Sequence, residues 1–200
     1  QGSREDRLQA LHDRPWFPYA TAHRIERDIA HLLTLPVGGY APRHTAIVGA
    51  NNNGKTHLCE RLIRLHKPSC DSHGDCRIPL LHLPCLHDLS QCGLYRTLIS
   101  QIGRPFRPSD SLNSLRRRFD YYARDVFDIR AILFDEFQSV LFHTPKRRTI
   151  LLEELAHISE RTRLSFFYFS TSGMFYSRPS DPTFFSNVQM LALPKWHHGP

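Results

Sequence analysis

An eight-residue stretch, Gly49-Ala50-Asn51-Asn52-Asn53-Gly54-Lys55-Thr56, constrains what this chain can fold into more than any other feature. It follows the pattern G-x-x-x-x-G-K-T, in which glycines let the backbone turn tightly and direct amide N–H groups at an anion. Lys55 is placed to reach the β- and γ-phosphates of a nucleotide, and the Thr56 hydroxyl to bind Mg²⁺. The stretch therefore predicts a phosphate-binding loop at the start of a helix, whose positive dipole end faces the same charge.

The residues on either side of the loop fit this interpretation. Upstream, residues 45–48 form a short β-prone apolar run, as expected of a buried strand. Downstream, residues 54–66 carry apolar side chains at helical spacing, which predicts a helix with one buried face. A strand, a glycine loop and a helix in this order form the context that the pattern requires. This context disfavours a chance match in an asparagine-rich turn.

A second informative run is residues 130–136, which read R-A-I-L-F-D-E and predict a buried strand ending in two carboxylates. Asp135 is predicted to hold Mg²⁺ through water, and Glu136 to polarise the water that attacks the γ-phosphate. Acidic residues often follow strands, so the run is informative chiefly because it lies about 80 residues after a phosphate loop. The carboxyl ends of parallel strands are also where such sheets bind ligands.

The rest of the chain alternates between strand and helix patterns. Further strands are predicted at residues 77–83, 164–169 and 187–193, and further helices at 4–12, 21–35, 90–102, 111–127 and 146–161. Pro79 is expected to lie at the beginning of its strand or to place that strand at an edge, and Ser109 or Ser111 to cap a helix. We predict an α/β fold with a parallel sheet of about five strands sandwiched by helices. Residues 1–40 would form an N-terminal helical segment and residues 41–200 the core.

Net charge, hydropathy and cysteine content indicate what kind of partner the protein binds and in which compartment it works. The net charge of +7 and the pI near 9.4 favour an acidic partner such as nucleic acid, although many basic proteins use charge only to stay soluble. No run approaches the roughly 18 apolar residues needed to span a bilayer, and no signal peptide is visible, which argues against a membrane partner. The start at Gln1 indicates a trimmed chain. Five cysteines in an intracellular nucleotide binder are expected to be reduced thiols.

Three segments each allow two interpretations. His66, Cys70, His73 and Cys76 are four potential zinc ligands, but they lack paired C-x-x-C knuckles, which favours a polar connecting loop. The aromatic residues 16–19 either pack the N-terminal segment onto the core or form a wall of the adenine pocket. The arginines of one loop and one helix either form a solvated face or contact DNA phosphates; they are Arg104, Arg107, Arg116, Arg117 and Arg118.

Four sequence features together resemble a known family: W-F-P-Y at residues 16–19, N-N-G-K-T at 52–56, I-L-F-D-E at 132–136, and L-P-K-W at 193–196. The chain resembles the TniB/TnsC transposition ATPases of the AAA+ superfamily over most of residues 14–196. The resemblance implies a bacterial, cytoplasmic regulator of DNA transposition that uses ATP and Mg²⁺. Such proteins assemble on double-stranded DNA as rings or filaments and link a target-selection protein to a transposase.

The resemblance also implies roles for individual residues. In the nucleotide loop the matching positions are Gly49, Asn52, Asn53, Gly54, Lys55 and Thr56. Asp135 and Glu136 match the metal-binding and hydrolytic acids, and Thr171 falls where the family has a sensor of the γ-phosphate. Tyr19 lies where the N-terminal segment of the family approaches the base.

The chain departs from the family pattern at three places. The family usually has D-E-x-H after the acidic strand, and this chain has Gln138 in place of the histidine. Members commonly carry R-F shortly before L-P-x-W, a candidate arginine finger, whereas residues 186–188 read S-N-V; Arg178 is a candidate substitute. The chain stops at Pro200, so the C-terminal helical lid is expected to be missing or reduced.

Three classes of function remain open on the sequence. The first is an ATP-hydrolysing transposition regulator that assembles on DNA. The second is another P-loop enzyme such as a kinase, which the Asp135–Glu136 pair argues against. The third is a nucleotide-gated scaffold without significant turnover, which the missing arginine finger keeps open.

Overall fold

The protein is built on a five-stranded parallel sheet, seen in a computed structural model that describes residues 19–36, 40–171 and 188–194. The sheet strands are β1 (His44–Val48), β4 (Leu80–Leu83), β5 (Ala131–Phe134), β6 (Ser165–Ser170) and β7 (Val188–Ala192). They lie in the order β4-β5-β6-β1-β7. Two further short strands, β2 (Ser69–Cys70) and β3 (Cys76–Arg77), pair only with each other among the described residues.

In the described ranges, five α-helices connect or flank these strands: α1 (Ala20–Thr34), α2 (Lys55–Leu65), α3 (Gln91–Gln101), α4 (Leu112–Tyr121) and α5 (Pro145–Thr162). The Ser90 and Ser111 hydroxyls cap α3 and α4 by accepting the N–H groups of Gly93 and Ser114. Two shorter helical segments follow: a π-helical turn at Tyr122–Val126 and a 3₁₀ helix at Phe137–Phe142. In the described part of the chain, no helix is long and apolar enough to cross a membrane.

Two apolar clusters cover the two faces of the sheet, which explains why its central strands read as continuous apolar runs. Along β5, Ile132 and Phe134 join one cluster while Ala131 and Leu133 join the other. The first cluster contains α3, α4 and α5, and the second contains α1 and α2. The predicted sheet sandwiched by helices is thus confirmed.

The strand register brings three chain segments to one edge of the sheet. Val48, the last residue of β1, pairs with Ser170 at the end of β6, and Phe134 of β5 pairs with Tyr168 of β6. The backbone N–H of Gly49 donates to the carbonyl of Ser170 over 3.1 Å. The segments that begin at residues 49, 135 and 171 therefore leave the sheet side by side.

Most predicted elements are present, with shifted ends. The strand predicted at residues 77–83 begins at Leu80, directly after Pro79, and is an edge strand of the sheet. The helix predicted at 111–127 is α-helical only to Tyr121 and continues as the π-helical turn. Ser111, rather than Ser109, provides the cap.

The zinc alternative and the expectation of five reduced thiols are both corrected by the structure. The β2–β3 hairpin places Cys70 opposite Cys76, and the two cysteines are joined by a disulfide. The two sulfurs are thereby consumed, so His66 and His73 lose their potential co-ligands. Among the described residues, no group of three or more potential metal ligands lies close together. Cys59, Cys85 and Cys92 are free.

Some predictions concern residues outside the described ranges. They are the helix at residues 4–12, the aromatic residues 16–18, Arg178, the S-N segment at 186–187, the K-W pair at 195–196 and the C-terminal lid.

Candidate nucleotide-binding site

The phosphate loop joins β1 to α2 and needs glycine at two positions. Gly54 adopts a left-handed conformation with φ +75° immediately before α2 begins, where a side chain would strain the backbone. A Cβ on Gly49 would lie 3.1 Å from Asn53 Nδ2 and 3.2 Å from Leu193 Cβ, a tight approach. Asn52 also has a positive φ, of 60°, which asparagine tolerates better than most residues.

The ammonium group of Lys55 contacts the backbone of the phosphate loop. Its Nζ donates to the carbonyl oxygens of Gly49 at 3.0 Å and Ala50 at 2.8 Å, and the residue is 5% exposed. Burial lowers the pKa of Lys55, while the negative charges of Glu136 and Asp135 oppose that shift. The lysine is thus held at the loop and within electrostatic range of both acids.

The two carboxylates at the end of β5 have different surroundings. Asp135 is 4% exposed, and its Oδ1 accepts the backbone N–H of Glu136 at 2.9 Å. Glu136 is exposed and adopts a left-handed backbone conformation with φ +51°. Such a conformation is costly for a residue with a side chain and is concentrated at functional sites. The strained turn directs one acid inward and presents the other at the surface.

A cavity of about 840 Å³ opens over these elements. Its lining combines the phosphate loop with the segments after β5 and β6: Asn51, Asn52, Asn53, Gly54, Lys55, Thr56, His57, Glu136, Gln138, Phe142 and Thr171. The volume lies in the usual range for small-molecule pockets, roughly 300–1,000 Å³. Loop amides, a lysine and the Glu136 carboxylate around one cavity, with the buried Asp135 next to Glu136 in sequence, fit a nucleotide with a divalent cation.

Two residues predicted to bind the nucleotide have contacts elsewhere. The Nδ2 of Asn53 donates to the carbonyls of Leu193 at 3.3 Å and Pro194 at 2.8 Å, so this side chain ties the loop to the segment after β7. Tyr19 precedes α1 and packs against the apolar cluster of α1 and α2. Burial and the nearby Glu26 raise the pKa of Tyr19 to about 12. Its approach to the base stays a prediction.

Sequence reasoning missed four lining residues: Asn51 and His57, which adjoin predicted positions, and Gln138 and Phe142, which follow the acidic pair. Gln138 was noticed only as a departure from the D-E-x-H pattern, yet its side chain contacts both Glu136 and Thr171. Phe142 ends the 3₁₀ helix and is 88% exposed beside the cavity. The D-E-x-H pattern marks position 138 but does not indicate the contact of its side chain with Thr171. The place of Phe142 depends on how the chain turns after β5, and its spacing carries no known signal.

The five candidate DNA-binding arginines separate into two groups. Arg116 forms an ion pair with Glu154, whose carboxylate is fully buried, and Arg118 Nη1 lies 3.0 Å from Asp110 Oδ2. Arg104, Arg107 and Arg117 are exposed, and the Arg104 guanidinium stacks 5.0 Å from the ring centroid of Phe127. In the three-arginine run on α4, Arg116 and Arg118 therefore form ion pairs within the chain, and Arg117 lies at the surface.

Comparison with known proteins identifies the family. The family described as Bacterial TniB protein matches residues 7–198. The chain belongs to the TniB family. The resemblance drawn from the loop, the acidic strand and the C-terminal motif is thus confirmed. No curated protein matches the chain significantly.

Several solved structures share the fold of this TniB protein. The Aeropyrum pernix ORC1 protein, solved in complex with DNA, matches with TM-score 0.67 at 16% identity, covering 91% of this chain and 47% of that one. The Aeropyrum pernix ORC2 protein, solved as ADPNP–ADP complexes, matches with TM-score 0.63 at 18% identity. The match covers 86% of this chain and 46% of that one. Drosophila ORC bound to GC-rich DNA and Cdc6 matches with TM-score 0.56 at 12% identity, covering 94% and 30%. This chain thus spans less than half the length of each.

Proposed function

We propose that this TniB protein is an ATPase that regulates DNA transposition by assembling on double-stranded DNA. The observation that carries the proposal is the convergence of the phosphate loop, Glu136 and Thr171 around one cavity, with the buried Asp135 adjacent to Glu136 at the end of β5. A kinase would instead require an acceptor site, and an acidic pair at this strand end is more useful for activating water. Family membership supports the link to transposition.

Each site residue has one task in the proposed reaction. The amides of residues 51–56 and the Lys55 ammonium bind the β- and γ-phosphates of ATP, and Thr56 with Asp135 would hold Mg²⁺. The metal, when bound, neutralises phosphate charge. Glu136 accepts a proton from the water whose oxygen attacks the γ-phosphorus, as the bond to the β-phosphate oxygen breaks and ADP leaves. The Thr171 hydroxyl would donate a hydrogen bond to the γ-phosphate.

DNA would be held through its phosphates, largely independently of base sequence. The net charge of +7 supports an acidic partner, and the exposed Arg104, Arg107 and Arg117 are the candidates with side chains at the surface. Arg116 and Arg118 were part of the same prediction, but their ion pairs favour a structural role. Head-to-tail association of copies, one nucleotide per junction, would give a ring or a filament. The assembly would connect a target-selection protein to a transposase.

A nucleotide-gated scaffold with little turnover is the second candidate. It is favoured by the sequence at residues 186–188, where members of the family carry a candidate arginine finger and this chain has none. Such a finger contributes about 10³–10⁵ in rate in other P-loop enzymes.

The Glu136→Gln variant tests the hydrolysis-and-release mechanism. The amide keeps the shape of the carboxylate but cannot take the proton from water, so ATP binding should persist while assemblies on DNA become longer-lived. Dissociation from labelled duplex DNA after dilution measures this, with Lys55→Ala as a variant deficient in nucleotide binding. If Glu136→Gln dissociates as fast as the wild type, release does not depend on hydrolysis.

A further inference from the structure

Gln138 bridges two segments that carry proposed reactive groups. It lies on the 3₁₀ helix two residues after Glu136, and its Nε2 donates to Glu136 Oε2. Its Oε1 accepts the backbone N–H of Thr171 over 3.2 Å. One half-buried side chain therefore joins the acid after β5 to the backbone at the end of β6.

The chemistry of the two partners fixes the orientation of the Gln138 amide. A carboxylate can only accept hydrogen bonds, so it must face the NH₂ group of the amide. A backbone N–H can only donate, so it must face the amide oxygen. Exchanging the oxygen and nitrogen would lose both bonds, and the ambiguity that usually affects amide side chains does not arise here.

The bridge has a consequence for the geometry of Glu136. This side chain is exposed at the cavity mouth on a strained backbone, and without a partner it would sample several rotamers. The Gln138 amide holds one carboxylate oxygen and leaves the other free to accept a proton from water. The amide oxygen of Gln138 is hydrogen-bonded to the backbone of Thr171. A shift of the chain at the end of β6 would therefore also move the Glu136 carboxylate.

We propose that Gln138 is a positioning residue that couples Glu136 to Thr171, so that the γ-phosphate side of the site sets the position of the acid. The inference rests on the proposed ATP hydrolysis. It assigns Gln138 a role in the rate of the chemical step rather than in nucleotide affinity, because the two hydrogen bonds of its side chain join the acid to the backbone directly after β6. A neutral amide performs both halves of the bridge at any pH.

Replacement of Gln138 by Met keeps side-chain length and removes both hydrogen bonds. We expect kcat for ATP to fall about tenfold or more, since displacement of a reactive group by about 1 Å can cost 10²-fold. The KM and the Kd for ATP should change less than about twofold. Ser139→Ala is the matched control, because it changes a neighbouring half-buried side chain that lies outside the bridge and should leave kcat unchanged.

Two further variants separate the two hydrogen bonds. Gln138→Glu keeps an acceptor for the Thr171 N–H but loses the donor and brings a second negative charge to Glu136, so kcat should fall at least as far as in Gln138→Met. Gln138→His can donate and accept only while its imidazole is neutral. Its kcat, relative to the wild type at the same pH, should be near normal at pH 8 and should fall as the imidazole is protonated, at a pH above about 6.5 because the Glu136 carboxylate favours the charged ring.

Amide hydrogen exchange at Thr171 tests the bridge without turnover. Loss of the acceptor should accelerate exchange at this position in Gln138→Met, while Gln138→Glu and Ser139→Ala keep the wild-type rate. An active wild type with an unchanged kcat in Gln138→Met would overturn the inference and leave the proposed ATPase intact. A wild type without turnover, with or without DNA, would overturn the ATPase proposal and the positioning role together, and the Thr171 exchange rates would still report whether the bridge forms.

Discussion

Two glutamates in this protein have opposite environments. The comparison distinguishes an acid that stabilises the fold from one that is proposed to act in the site. Glu154 on α5 is fully buried and accepts hydrogen bonds from three side chains, Gln91, Tyr95 and Arg116. Glu136 is exposed at the mouth of a cavity, on a strained turn, and contacts the Gln138 amide. One acid has its hydrogen-bond partners inside the protein, whereas the other is exposed and lines the cavity.

The buried network joins the three helices on one face of the sheet. Burial raises the pKa of the Glu154 carboxyl, but the hydrogen bonds from Arg116 and Tyr95 outweigh it and leave that pKa below its usual value. Arg161 extends the network by donating to Tyr95 and to Asp120 at 2.9 Å. The charged groups of this network are paired with one another and stabilise helix packing. Few of their hydrogen-bonding atoms remain available to DNA or nucleotide.

The largest expected effect comes from removing the buried charge. Glu154→Gln leaves the partly buried Arg116 without its counter-ion, and we expect the free energy of unfolding to fall by about 3 kcal/mol. Thermal or urea unfolding measures the loss. The exposed neighbour Glu153 provides the control, because Glu153→Gln should change stability by less than about 0.5 kcal/mol. Equal effects of the two substitutions would contradict the assignment of Glu154 to folding.

Adjacent arginines on α4 offer the next test of the contrast. Arg116→Ala should destabilise the protein by about 2 kcal/mol, since it strands a buried carboxylate. Arg117→Ala should leave stability within about 0.5 kcal/mol and weaken DNA binding with a smaller salt dependence. Unfolding curves and DNA titrations at two salt concentrations measure both variants. If Arg117→Ala is the more destabilising of the two, the assignment of Arg116 to folding and of Arg117 to the surface is wrong.

A pH-dependent effect of similar size is expected from His44, which lies in neither region. Its ring packs on Phe166, and burial lowers its pKa to about 4. The unfolded chain therefore binds this proton below about pH 6.5 while the folded protein does not. Stability contributed by neutral His44 is fully present above that pH and is lost as the pH falls towards 4, by about 2 kcal/mol after allowance for partial exposure.

The His44→Gln variant isolates this contribution. Its unfolding free energy should depend less steeply on pH between 6.5 and 4 than that of the wild type. Part of the slope should remain, because burial also lowers the pKa of His66 and His82. Identical slopes in the two proteins would show that His44 takes up its proton equally well in the folded state.

The parts of the structure that sequence predicts well are those set by short-range pattern. The glycines of the G-x-x-x-x-G-K-T pattern determine the backbone conformation of the loop, and the apolar run before Asp135 indicates a buried strand. The arginines of α4 could not be assigned in this way, because Arg116 finds its partner 38 residues further along the chain. The same holds for Asn53, whose side chain is tied to carbonyls at Leu193 and Pro194 through tertiary packing.

The most direct test of the account is steady-state ATP turnover by the full chain, with and without double-stranded DNA, beside the Glu136→Gln variant. We expect the wild type to hydrolyse ATP, DNA to stimulate it, and Glu136→Gln to be at least about 100-fold slower with unchanged ATP affinity. Equal turnover by wild type and Glu136→Gln would contradict the assignment of the cavity as a hydrolytic site.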